Sequence, residues 1–129
     1  MGPRSLNGEL HLAASLTFDA GIGDTPEDWY VTYLNTHTDR LVGLAYIVIY
    51  GNSTADAQKE PHAMTYDAFE THDGVTLGTD WRFWHWSDTK GFHGTPMGSV
   101  TLSNLQFATP APGAFHAPAR PRADELPVR

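Results

Sequence analysis

Arg40-Leu41-Val42-Gly43-Leu44-Ala45-Tyr46-Ile47-Val48-Ile49-Tyr50 is the stretch that decides the fold. Read with a period of two, it puts Leu41, Ala45, Ile47 and Ile49 on one side and Val42, Leu44, Tyr46, Val48 and Tyr50 on the other. Both sides are apolar. A strand of this kind is usually central in its sheet and covered above and below. Gly43 supplies the place for a bend or bulge, which sharp sheet curvature needs.

The same period continues outward from this strand. On its N-terminal side, Asn35-Thr36-His37-Thr38-Asp39 has turn chemistry, and Trp29-Tyr30-Val31-Thr32-Tyr33-Leu34 is rich in aromatic and β-branched residues. The two runs therefore read as a hairpin. Further back, Glu9 to Phe18 alternates apolar Leu10, Leu12, Ala14, Leu16 and Phe18 against His11, Ala13, Ser15 and Thr17. Gly21, Gly23, Asp24 and Pro26 then end the pattern.

On the C-terminal side, Gly51 to Pro61 is a polar loop with room for one helical turn around Thr54 to Lys59. A fourth strand is expected from Ala63 to Glu70 and a fifth from Val75 to Trp86. Thr71-His72-Asp73-Gly74 joins them, because Asp-Gly readily supplies positive φ. Asp88 to Pro96, with two glycines and a proline, reads as a connection, and Met97 to Phe107 as a sixth strand. From Thr109 onward Pro110, Pro112, Pro118, Pro121 and Pro127 oppose regular structure. The expectation is all-β: a curved antiparallel meander of about six strands over residues 1–108, a half-barrel or open barrel, with a proline-rich extended tail over 109–129. With no amphipathic helix in the chain, the second apolar face must be covered by sheet closure, a second subunit, the tail or a bound apolar molecule.

Composition narrows the partners. Eight Lys and Arg against fifteen Asp and Glu leave a net charge of −7 over 129 residues. Nucleic-acid binding rests on clustered cations, and here they are few and scattered, so no nucleic-acid partner is expected. An anionic membrane surface is disfavoured for the same reason. No run approaches the roughly 20 apolar residues of a membrane-spanning helix, and Met1 to Asn7 has no apolar segment of a signal peptide. The chain has no cysteine, which excludes disulfide scaffolds, thiolate metal sites and thiol nucleophiles.

Several segments look familiar as a set. Gly21-Ile22-Gly23-Asp24-Thr25-Pro26-Glu27-Asp28-Trp29-Tyr30-Val31 leads through Tyr33-Leu34-Asn35 to Thr38-Asp39-Arg40-Leu41-Val42-Gly43-Leu44. Glu60-Pro61-His62, Tyr66-Asp67-Ala68-Phe69, His72-Asp73-Gly74-Val75-Thr76-Leu77 and Thr101-Leu102-Ser103-Asn104-Leu105-Gln106-Phe107 follow. In order and spacing, from Asn7 to Phe115, this resembles the C-terminal portion of exported bacterial proteins related to the outer-membrane lipoprotein carrier and receptor. The resemblance implies a curved half-barrel whose concave face holds acyl chains or another apolar ligand. It also implies a periplasmic or secreted location, and it implies no catalytic residues.

Three groups of side chains could carry chemistry. His85 and His93 flank the Gly/Asp connection, with His62 at the start of the fourth strand; converging imidazoles would suit copper or zinc. The competing reading is three rim histidines that only donate hydrogen bonds. Trp84 and Trp86 share one strand face, while Trp81, Phe83 and His85 share the other, as a ligand mouth or simply as core. Among the acids, Asp24, Glu27 and Asp28 fit a solvated loop, while Asp67 and Asp80 fall inside strands, where Asp80 and Arg82 could pair. No Gly-x-Ser-x-Gly elbow or phosphate-binding glycine loop is present.

The leading expectation is a binding domain for a lipid-like or other apolar ligand, lined by Tyr33, Ile47, Trp81, Phe83 and Trp84. No cofactor is required for it. The alternatives are a small metal-dependent enzyme using His85, His93 and His62, and a truncated domain that only forms a homodimer through its uncovered face.

Overall fold

A computed structural model describes residues 1–6, 8–22, 25–49 and 51–116. Seven antiparallel strands pair in chain order: β1 (Pro3–Leu6), β2 (Glu9–Thr17), β3 (Trp29–Asn35), β4 (Leu41–Tyr46), β5 (His62–His72), β6 (Val75–Ser87) and β7 (Gly91–Thr101). One helical turn, α1 (Thr54–Ala57), lies between β4 and β5. The sheet curls into a half-barrel. β1 comes near β7, and Arg4 Nη2 of β1 meets Asp88 Oδ1 of the β6–β7 turn at 2.6 Å. No helix among the described residues is long and apolar enough to cross a membrane.

Local chemistry sets the turns. Asn35 Oδ1 accepts from the amides of His37 and Thr38 and from Thr38 Oγ1, and Asp39 takes φ 54 to return the chain into β4. Asp73 and Gly74 stand at φ 48 and 82, the paired positive angles of a tight hairpin turn. Ser53 caps α1 by accepting from the Asp56 amide.

Curvature makes the inner face a core. Ala13, Val31, Tyr33, Ala45, Ala63, Trp86 and Leu6 form one buried cluster, with Trp29, Val42, Trp84 and Phe92 packed against it. Ala13 of β2, Ala45 of β4 and Ala63 of β5 let the sheet close tightly around the rings of Tyr33, Trp86 and Phe92. Gly43 is part of this fit. A Cβ there would lie 3.0 Å from the Met64 carbonyl oxygen and 3.1 Å from Phe92 Cζ, next to a register shift between Tyr33 and Leu34.

The sequence reading and the fold differ at definite places. There are seven strands and not six. β1 escapes notice because four residues with one buried side chain, Leu6, give no period, and Pro3 sits where a strand tolerates it, at the first residue of an edge strand. The last strand is Gly91–Thr101 and not Met97 to Phe107. Its hairpin needs only Asp88, Thr89 and Lys90, closed by the Lys90 amide on Ser87 Oγ at 3.2 Å. Gly94, at φ 83, and Pro96 fall where the register shifts opposite Trp84, on an edge strand that can absorb them. β4 stops at Tyr46, the last residue its partner His62 can reach, although Ile47 beyond it is still buried.

Asp80 and Arg82 do not pair. Arg82 Nε meets Asp67 Oδ2 at 3.2 Å, whereas Asp80 Oδ1 accepts from Thr101 Oγ1 at 3.3 Å. Arg82 stands opposite Thr65, which makes Asp67, two residues along, its diagonal neighbour, while Asp80 is set opposite Ala68. No strand or helix follows Thr101 up to His116. Tyr50, Asp24 and the tail prolines Pro118, Pro121 and Pro127 lie outside the described residues.

Candidate ligand-binding cleft

Alternation divides the five expected lining residues between the two faces. Tyr33 and Ile47 are buried on the inner side, at 1% and 2% exposure. Trp84 also faces inward, its Nε1 donating to Thr65 Oγ1 at 3.0 Å. Trp81 and Phe83 lie on the outer face, so the five do not line one surface.

The outer face carries an ordered row of rings. Tyr30, Tyr46, His62, His85 and His93 are direct cross-strand neighbours on β3 to β7. Their centroids are spaced 6.4, 6.3, 6.4 and 6.1 Å apart, and Phe18 extends the row at 6.1 Å from Tyr30. Burial, with the nearby Tyr30 phenol, raises the Tyr46 phenol above its ordinary value. The fold therefore brings His62, His85 and His93 together, but side by side in a line. Among the described residues no three His, Asp or Glu side chains are placed to enclose a metal ion.

A cleft of about 350 Å³ opens further along the same face. Its walls are Leu41 of β4, Tyr66 and Phe69 of β5, Leu77 and Trp81 of β6, and Leu102 just after β7. Tyr66 stands edge-on to Trp81 at 5.8 Å and tilts toward Phe69 at 6.4 Å. Gly78 forms the floor. A Cβ at that position would lie 2.6 Å from Tyr66 Cδ1, so the ring rests directly on the glycine backbone. The continuous β5–β6 register sets Tyr66 opposite Trp81 and Phe69 opposite Gly78, with a one-residue irregularity between them at Ala68 that opens and closes again.

The polar groups of the cleft are mostly satisfied within it. Trp81 Nε1 donates to the Gly78 carbonyl at 2.8 Å, and the Thr76 hydroxyl is bonded to that of Thr71 at 2.8 Å. Burial raises the Tyr66 phenol above its ordinary range. Arg40 is the one charged residue of the lining, its guanidinium carbon 5.5 Å from the centre of the Phe69 ring. It makes no ion pair among the described residues. A second, smaller cleft of about 180 Å³ near His11, Glu9 and Asn35 is polar and faces the open end of the inner side.

No match emerges among known proteins: no family model, curated protein or solved structure is similar to this chain.

Sequence reasoning found Trp81 but missed Arg40, Leu41, Tyr66, Phe69 and Leu102. One signal for them stands in the chain. Gly78 interrupts a strand, and a strand-interior glycine often marks a close approach of another group to the backbone. The cleft contains no nucleophile beside a base and no paired carboxylates. Its chemistry is that of holding an apolar body with one cation at the edge.

Proposed function

We propose that this protein binds a lipid-like or other apolar small molecule, and that the cleft between Tyr66, Phe69 and Trp81 is where it binds. The observation that carries the reading is an open, aromatic-walled recess on a sheet face with no second layer over it. Ligand sites are typically apolar recesses of roughly 300–1,000 Å³ with few polar groups. At the low end of that range, this one suits a single chain or ring system. The inner, concave face is the weaker candidate, since Tyr33, Trp86 and Phe92 already fill it against one another. The resemblance to lipoprotein carriers points to the same class of ligand, and the periplasmic or secreted location it implies belongs to the same proposal.

Titration with the neutral dye N-phenyl-1-naphthylamine tests the reading. Saturable binding with one dye per chain is expected, and Leu102→Asp, which puts a carboxylate in the apolar wall, should weaken it severalfold. Dye binding that is absent, or indifferent to Leu102→Asp in a folded variant, would overturn the assignment.

A metal-dependent activity on the histidine row is the second reading, favoured by the shared register of His62, His85 and His93. It requires two neighbouring rings to turn toward a common ion, because as placed they stand in a line. Stoichiometric zinc or copper in protein purified without a histidine tag would support it; none would remove it.

A further inference from the structure

The cleft reading concerns the apolar body of a ligand; the cation at its edge concerns the other end. Resting on that reading, we propose that Arg40 makes the cleft selective for amphiphiles whose polar end is a carboxylate, such as a single-chain fatty acid.

The backbone of Arg40 is fixed and its exposed side chain lies on a ring. Its carbonyl accepts from the Asn35 amide at 2.9 Å, at the base of a turn that Asn35 itself fastens with three side-chain hydrogen bonds. Its guanidinium rests over Phe69 at the cleft wall. A guanidinium that rests on a ring is partly pre-organised, and its planar fork matches a carboxylate. The acids of β5 that flank Phe69 are engaged elsewhere: Glu70 Oε2 is bonded to His72 Nε2 at 2.9 Å, and Asp67 to Arg82.

The whole-chain charge of −7 does not cancel the effect. At physiological ionic strength charges are screened over about 8 Å, so distant carboxylates act weakly while a contacting guanidinium acts fully. An unpaired arginine beside an apolar recess in an acidic protein is thus a local inversion of sign where a ligand head would lie. A neutral ligand would gain a weaker hydrogen bond from it than a carboxylate does, and a cationic one would be repelled.

The test compares dodecanoate, 1-dodecanol and dodecyltrimethylammonium, each below its aggregation concentration, by the quenching of tryptophan fluorescence and by calorimetry. Dodecanoate is expected to bind about tenfold or more tighter than dodecanol, as a charge-assisted hydrogen bond at a part-exposed site allows. Added salt should narrow the gap. Arg40→Gln should abolish it, and Arg40→Lys should keep part of it. If wild-type protein binds dodecanol as tightly as dodecanoate, or if folded Arg40→Gln keeps the preference, carboxylate selection is overturned while the cleft stands. If none of the three binds, or Leu102→Asp binds all of them undiminished, the cleft reading itself falls and takes this inference with it. The wild-type comparison does not depend on any variant folding.

Discussion

Trp86 Nε1 donates to Tyr33 Oη at 3.0 Å, a buried bond between β6 and β3 that spans the inside of the curled sheet. Strands three places apart in a flat sheet could not make it. The bond is therefore a direct report of curvature, and its removal should loosen the half-barrel. Tyr33→Phe leaves the indole N–H buried without an acceptor, at a cost of about 1–3 kcal/mol. Urea denaturation should register that loss, and Trp86→Phe should cost less in the Tyr33→Phe background than in wild type, since the orphaned donor goes too. An unchanged denaturation midpoint in Tyr33→Phe would mean that water reaches the indole.

Gly78→Ala decides between two opposing expectations. Alanine suits a strand interior better than glycine, yet its Cβ would lie 2.6 Å from Tyr66 Cδ1. Trp81 stands against the same Tyr66 ring, so the ring has little room to retreat. Overpacking should win, with a loss of about 1–3 kcal/mol in chemical denaturation. The same substitution should weaken N-phenyl-1-naphthylamine binding, because it displaces a cleft wall.

Tyr66 also predicts an alkaline limit. Burial raises its folded-state pKa above the ordinary value of 10.0, so the native state holds a proton that the unfolded chain has released. Stability from this group is fully present below that ordinary value and is lost as pH rises through the folded one. Tyr46, raised chiefly by burial, acts in the same direction. Phenolate absorbance should show late-titrating tyrosines in wild type and one fewer in Tyr66→Phe.

At α1 the sign reverses. Hydrogen bonds from Lys59 Nζ and Ser53 Oγ hold the Asp56 carboxyl below its ordinary pKa. Its contribution to the turn is present above the unfolded carboxylate value and fades as pH falls through the lowered one. In a nuclear magnetic resonance titration, Ser53→Ala should move the Asp56 midpoint upward. A midpoint that stays put would assign the whole shift to Lys59.

The sequence alone determined the class of fold and the facing of residues along β6; on β2 the apolar row lies outward, with Leu10 and Leu12 exposed while His11 and Ala13 are buried. Period-two alternation from Glu9 onward separated Trp84 and Trp86 from Trp81, Phe83 and His85, and the structure keeps that division. Asp73-Gly74 and Asn35 to Asp39 marked turns that form where they were expected, because positive φ and side-chain capping are local properties. Local chemistry failed at Gly94 and Pro96. They look like breakers, but an edge strand has no outer partner to lose, so β7 runs through them.

Tertiary structure alone decided what meets what. A one-residue shift that opens at Ala68 and closes by Phe69 is invisible in composition, yet it sets Asp80 opposite Ala68, while Asp67 meets Arg82 diagonally across the strands. Curl is equally non-local: it turns the face carrying Tyr33 and Trp86 into a closed core and leaves the other face with the cleft. The central strand that is apolar on both sides, Leu41–Tyr46, was legible from the first. That its outer side chains Leu44 and Tyr46 would be only half-buried, beside an open cleft lined by Leu41, followed from the packing of seven strands into one curved layer.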